Sequence, residues 1–324
     1  MKEKDFQLEL VFNPDGQEQK RLIVNDVDKY SWMSKKQLEA YRAQLEKENM
    51  RLRDKRGDFV MGKSENIRLL EETDLTVSDR RYFMILVLYA RFNGEPLAKD
   101  GVTLNNKSIG EIWEISDPKT ISKRLNKFVK LGLLEKIKNG RVSNYVLNEL
   151  YFQMGKGKKH NIDPGEKFVK LFKNQLSTVI GNVRKIEQNK NRNRKTGQVN
   201  LKDVIGLLHA VMPYFHYETY YLVSNPDERI TLEGESVLDA LKRSPKQLKH
   251  LSKSQIGRIL GYENANRATI SRYMQILQRS GAVMVLENNN RTRYLIHPDL
   301  MFRLDSDGTD EYTEYVRQLF GQHK

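Results

Sequence analysis

Thr120-Ile-Ser-Lys123 recurs as Thr269-Ile-Ser-Arg272, 149 residues further on, and the same offset carries Gly132 onto Gly281 and Tyr145 onto Tyr294. Upstream, Ile109-Gly-Glu-Ile112 answers Ile256-Gly-Arg-Ile259, with two extra residues in the second turn. Matches that share order and register mark a duplicated unit, and a duplicated unit has to bury the same face twice. That restricts the chain to two copies of one small architecture.

Each copy reads as the same series. A long apolar helix (80–92, then 201–212) is followed by a short helix (106–113, then 253–260). A polar turn comes next: Ser116-Asp-Pro118 in one copy, Tyr262 to Asn266 in the other. Pro118 suits the first turn of a helix, where its missing N–H is not needed, and Asn266 is a candidate N-cap. The third helix spans 118–131 and then 267–280, with Ile121, Leu125 and Phe128, or Ile270, Met274 and Leu277, on an inward stripe. Gly132 and Gly281 stand where each helix ends. Two strands follow around a polar turn, Lys138-Asn-Gly-Arg141 in the first copy and Asn288-Asn-Asn-Arg291 in the second. Helix, helix, helix and hairpin in this order is the winged helix-turn-helix plan.

The outward face of the third helix presents Lys119, Thr120, Ser122, Lys123, Asn126 and Lys127 in the first copy. In the second it presents Asn266 at the start, then Arg267, Thr269, Ser271, Arg272 and Gln275. Short polar and cationic groups of this kind reach base edges and phosphates from a helix in the major groove. Lys138 and Arg141, then Arg291 and Arg293, supply the basic hairpin tips. The chain has 56 Lys and Arg against 42 Asp and Glu, a formal charge of +14, which favours a polyanionic partner through counterion release. The expected partner is double-stranded DNA. Winged helices also dock proteins, and an acidic or apolar outer face would have favoured that use.

The fold class expected is mainly α with small β-hairpins (α+β), two winged helix-turn-helix domains joined by a long helix. The boundaries read as 1–75 (a hairpin around Asn13-Pro-Asp-Gly16, then a basic helix capped by Ser34 and Gln37), 76–154 (first domain), 155–199 (connecting helix from about Pro164 to Gln188, then a basic linker Asn189–Gly197), 200–302 (second domain) and 303–324 (tail helix). The absence of cysteine excludes disulfides, zinc fingers and thiol catalysis. No apolar run reaches the ~18 residues a membrane span needs, and Met1 to Phe6 is charged, so a cytoplasmic protein with no membrane contact is expected.

The segment Thr76–Phe152 resembles the small winged-helix replication proteins of Gram-positive plasmids (RepL type) and related phage regulators. The resemblance rests on Asn106-Lys-Ser-Ile-Gly110, Lys119-Thr-Ile-Ser-Lys123, Leu131-Gly-Leu-Leu-Glu-Lys136 and Asn148-Glu-Leu-Tyr-Phe152. The second copy resembles them through Ala268-Thr-Ile-Ser-Arg272 and His297-Pro-Asp-Leu-Met-Phe302. The family's ending usually reads Asn-Pro, where this chain has Asn148-Glu149 and His297-Pro298. Two such units in a basic chain are also similar to iteron-binding plasmid initiators. The resemblance implies a replication initiator reading two half-sites and recruiting host replication proteins. The alternatives are a transcriptional regulator of a phage or mobile element, working with host transcription proteins, and a winged-helix docking adaptor; a homodimer stays open.

No enzyme is expected. The six histidines form no closely spaced pair for a nicking metal, and no Walker-type phosphate loop is present. The tyrosines around Tyr214–Tyr221 lack a recognisable Arg/His set and read as core or interface. Asp305 to Glu311 has its glycine at the wrong place for a calcium loop. No cofactor or metal is assigned.

Overall fold

The computed structural model describes residues 6–12, 14–15, 17–24, 34, 36–38, 41–42, 55–140, 142–155, 167–192, 194, 197, 199–262, 267–288, 291–303 and 308–322. The chain divides into two compact units, Met1–Arg53 and Asp54–Lys324. In the first, alternating apolar residues make β1 (Phe6–Phe12) and β2 (Glu18–Val24), paired antiparallel with Leu8 opposite Leu22. The Ser34/Gln37 capping box forms, each residue's side chain bonding the other's backbone N–H (2.8 and 3.2 Å). Most of the basic helix read after it lies outside the described residues.

The second unit is a mixed α and β structure with small antiparallel sheets. It opens with β3 (Phe59–Lys63) and α1 (Ser64–Leu69). The first repeat continues with α2 (Val77–Val87), the two-residue strands β4 (Ala98–Lys99) and β5 (Val102–Thr103), α3 (Asn106–Trp113), α4 (Pro118–Lys130), the hairpin β6 (Leu134–Asn139) and β7 (Val142–Leu147), and β8 (Phe152–Gln153). The second runs through β9 (Phe168–Phe172), α5 (Lys173–Asn191), α6 (Val204–Val211), α7 (Val237–Arg243), α8 (Lys253–Ile259), α9 (Arg267–Arg279), the hairpin β10 (Val283–Asn288) and β11 (Arg291–Ile296), and β12 (Met301–Phe302). Helix α10 (Glu311–Gln322) closes it.

The structure moves several expected boundaries. The first long helix begins at Val77, because Thr76 and Asp79 form a reciprocal capping box (3.1 and 3.2 Å). The connecting helix begins at Lys173; Phe168–Phe172, read as part of it, is a strand. Its apolar residues pair with β3, Val60 opposite Leu171 and Gly62 opposite Val169. Helix α5 runs into the expected linker as far as Asn191, whose side chain bonds the Val199 N–H and C=O (2.8 and 2.9 Å). The tail helix is integral: Tyr312, Val316 and Phe320 are buried, and Tyr312 donates to the Thr219 carbonyl at 3.1 Å.

The two repeats share one core through a local two-fold arrangement. A four-stranded sheet runs in the order β12-β9-β3-β8 with all pairs antiparallel, so equating β3 with β9 and β8 with β12 makes it read the same from either edge. The bonds at its margins obey the same exchange. Lys63 N–H donates to Tyr151 O (2.9 Å) as Phe172 N–H donates to Leu300 O (3.0 Å), and Ser64 N–H reaches Lys167 O as Lys173 N–H reaches Asp58 O (both 2.9 Å). Helices α2 and α6 cross so closely at Gly206 that a Cβ there would stand 2.0 Å from Val77 O. Arg81 ties the same crossing to Asp203 at 2.9 Å. One continuous set of buried side chains, from Val60 to Phe320, fills both repeats.

Candidate nucleic-acid interface

In the first repeat, local chemistry fixes where α4 starts and which way it faces. Asn105 caps α3 through Ser108 N–H (3.1 Å), and Glu114 turns the chain in the left-handed conformation (φ 60°). Asp117 then caps α4 by accepting from the N–H groups of Lys119 (3.2 Å) and Thr120 (3.0 Å), with Pro118 in the first turn. These bonds and that of the Thr120 hydroxyl (2.5 Å) hold the Asp117 carboxyl below its ordinary range, the hydroxyl contributing most. Gly110 lets the two helices meet; a Cβ there would stand 2.3 Å from Ile121 Cδ1. Ile121, Leu125 and Phe128 are buried as the stripe required, with the Phe128 ring 5.6 Å from that of Phe83.

The opposite face is divided. Lys119, Thr120, Lys123 and Asn126 are exposed. Ser122 is half-buried and accepts from Asn106 Nδ2 (3.3 Å), whose amide oxygen accepts from the Tyr145 hydroxyl (2.9 Å), linking helix α4 to strand β7. Lys127, expected on the reading face, is turned inward: its Nζ lies 2.9 Å from the Asp79 carboxylate and 2.7 Å from Asp74 O. Arg124 pairs with the same carboxylate and lies over the Tyr82 ring at 4.1 Å. Burial alone would raise the Asp79 carboxyl, but bonds from Lys127 and Thr76 and the Arg124 charge together hold it below its ordinary value. A buried carboxylate that satisfies two cations anchors the back of the helix and leaves the front free.

The hairpin beside α4 pairs Lys138 with Ser143 and Asn139 with Val142. Lys138 is exposed; Arg141 lies outside the described residues. Ile137 and Val142, 42% and 47% exposed, give this tip an apolar part that the sequence reading overlooked.

The second repeat follows the same construction. Ser252 and Gln255 form the box that starts α8 (2.8 and 3.2 Å), and Tyr262 N–H bonds back to Gly257 O at 3.0 Å as Ile115 N–H does to Gly110 O at 2.9 Å. Asn266 lies outside the described residues. On α9, Ile270, Met274 and Leu277 are buried, Arg267, Arg272 and Gln275 exposed, and Thr269 and Ser271 half-buried. Arg267 Nε donates to Ser254 Oγ at 3.1 Å. Arg291 is exposed at the tip of its hairpin, whereas Arg293 is half-buried with its charge beside the Tyr221 hydroxyl. Tyr294, the counterpart of Tyr145, has a buried hydroxyl with no partner among the described residues; Lys253 stands where the first repeat has Asn106.

Neither α4 nor α9, each 13 residues long, contains a carboxylate. Both therefore expose a face of cationic, amide and hydroxyl groups, with a hairpin alongside. The other candidate chemistry is used internally. His209 is fully buried, 3.1 Å from Arg80, and burial first and the Arg80 charge second hold its imidazole well below its ordinary value. Tyr220 is fully buried and stacks against Phe302 and Tyr312. Among the described residues, no group of three His, Cys, Asp or Glu side chains is placed to hold a metal, and no helix is long and apolar enough to cross a membrane. No family model, curated protein or solved structure matches the chain.

Proposed function

We propose that the chain binds double-stranded DNA sequence-specifically through two winged helix-turn-helix modules, and that it is a replication initiator of the plasmid or phage type. The observation that carries this is the duplicated, acid-free outer face of α4 and α9, held on one shared core. Helices with exposed Lys, Arg, Asn and Gln fit the major groove, where such groups discriminate base edges, and the exposed cations beside them meet phosphates. Because the repeats are related by a local two-fold, the two helices are presented in opposite sense, so the two halves of one site are inverted with respect to each other. The shared core makes their spacing a property of the fold.

The test is selection of bound fragments from the genome that encodes the chain, sequenced, with affinity measured at two salt concentrations. Enrichment of one sequence with two inverted halves is expected, beside an origin. Placement at promoters alone would make the protein a transcriptional regulator. Lys123→Ala and Arg272→Ala should each relax preference at one half by about 1–3 kcal/mol. Binding with no sequence preference at either salt would overturn the reading.

A further inference from the structure

The two repeats differ most between their first and second helices. The first has residues 88–105 there, with the small β4–β5 hairpin; the second has residues 212–252, which build a lobe with its own core of Val223, Ile230, Ala240 and Leu248. Polar bonds stiffen this lobe. Arg243 grips the Glu235 carboxylate with two nitrogens (2.7 and 2.8 Å) and the Ile230 carbonyl with one of them (2.9 Å). Glu218 accepts from Ile230 N–H and the Thr231 hydroxyl (2.9 and 2.6 Å). Asn225 fixes the far end, donating to Gln247 O and accepting from Lys249 N–H (both 2.9 Å).

That far end stands across an open groove of about 790 Å³ from the start of α9. Lys246 of the lobe, Lys253 at the start of α8, Arg267 and Ser271 of α9, and Arg291 and Arg293 of the hairpin all line it. Five cations line the groove and no carboxylate does. Lys246 and Arg291 make no ion pair among the described residues, and Lys253 has only a long contact, 3.7 Å, to the exposed Glu287. Cations gathered this closely with a single distant carboxylate among them repel one another and are stabilised by an anion. An open groove lined by cations and serine hydroxyls suits phosphodiester groups.

We propose that the lobe is a third DNA-contacting element, and that Lys246 and Lys253 hold the backbone of one strand next to the half-site read by α9. The inference rests on the DNA-binding reading above. It makes the protein's contact with its site asymmetric: the second module grips further along the backbone than the first, which has no such lobe.

Hydroxyl-radical footprinting and salt titration of the full chain on its selected site test this, with Lys246→Ala, Lys253→Ala and the double variant. Lys246 is exposed, so its replacement leaves folding intact. Each lysine removed should make the slope of log K against log salt shallower by about 0.9 and should lose protection of flanking phosphates on the α9 side only, with base preference unchanged. Wild-type binding with unaltered slopes and protection in all three variants would overturn the lobe contact and leave the DNA-binding reading standing. Failure of the wild type to bind any DNA would overturn both. Thermal stabilisation of the wild type but not of Lys246→Ala by ATP, with footprints unchanged, would assign the groove to a free phosphorylated ligand and overturn the proposal.

Discussion

Gly206→Ala is the sharpest test of how the two repeats are joined. Its added Cβ would stand 2.0 Å from Val77 O and 3.0 Å from Arg81 N, against 3.4–4 Å in ordinary contact. Both neighbours are backbone atoms of α2, so no side-chain rotation relieves the clash. Helices α2 and α6 must part by roughly 1 Å or more, in an interior packed too closely to absorb it. Parting them also loosens the layer of Leu207, Leu208 and Phe83 and stretches the Arg81–Asp203 pair. Overpacking of this kind costs about 3 kcal/mol, the upper end of the usual range. In a unit of this size that lowers the melting temperature by roughly 6–12 °C. Gly181→Ala is the control. Gly181 lies inside α5 with nothing within 4 Å of its added Cβ, so alanine should stabilise by about 0.8 kcal/mol through helix propensity. Thermal unfolding followed by circular dichroism separates the two. A Gly206→Ala protein melting within about 2 °C of the wild type would refute the close crossing, and with it the rigid spacing between the two outer helices.

Three further outcomes are expected. Asp79→Ala removes the reciprocal half of the α2 capping box and the carboxylate that Arg124 and Lys127 share, leaving Lys127 only Asp74, at a cost of about 3 kcal/mol in denaturant unfolding; because the folded carboxyl sits below its unfolded value, its stabilisation is full above about pH 4 and fades as pH falls further, and an Asp79→Ala protein as stable as wild type at pH 7 would rule this out. Tyr145→Phe breaks the chain through Asn106 to Ser122 and should cost about 1 kcal/mol, whereas Tyr294→Phe removes a hydroxyl without a described partner and should be neutral or stabilising; equal losses in chemical unfolding would contradict the contrast. His209 stays neutral in the folded state, so its contribution is full above about pH 6.5 and is lost on acidification, at up to about 1.4 kcal/mol per pH unit; His209→Phe should flatten the fall in stability between pH 6.5 and 5.5, and an unchanged slope would show that His209 titrates freely.

Much of each repeat was legible because it depends on local chemistry. Apolar residues at helical spacing placed α3, α4, α8 and α9 within a residue of their observed ends, and turn residues placed both hairpins. The Ser34/Gln37 box was likewise a local signature. The exposure of Lys123, Asn126, Arg272 and Gln275 followed from the position of the buried stripe. Lys127 did not follow, since its inward turn depends on Asp79, a residue 48 positions away. The paired strands β3 and β9 escaped notice for a related reason. They lie outside the common offset of 149 residues, and a five-residue apolar run reads equally well as helix until its partner is known.

The sequence by itself therefore determined that a unit of helices and a hairpin occurs twice, which helix faces are buried, and that the opposite faces are cationic and free of acid. Periodicity, caps and turns act over a few residues and need no partner to be read. Only the tertiary structure decided that the two units share one core through a local two-fold, that Lys127 is held by internal partners and Arg293 lies beside Tyr221, and that Lys246, Lys253 and Arg267 line one groove. Those outcomes depend on which distant backbones approach closely enough to pair, as at Gly206 and between β3 and β9, and on which buried charge claims which cation. Such choices are made by packing, after local structure has already formed.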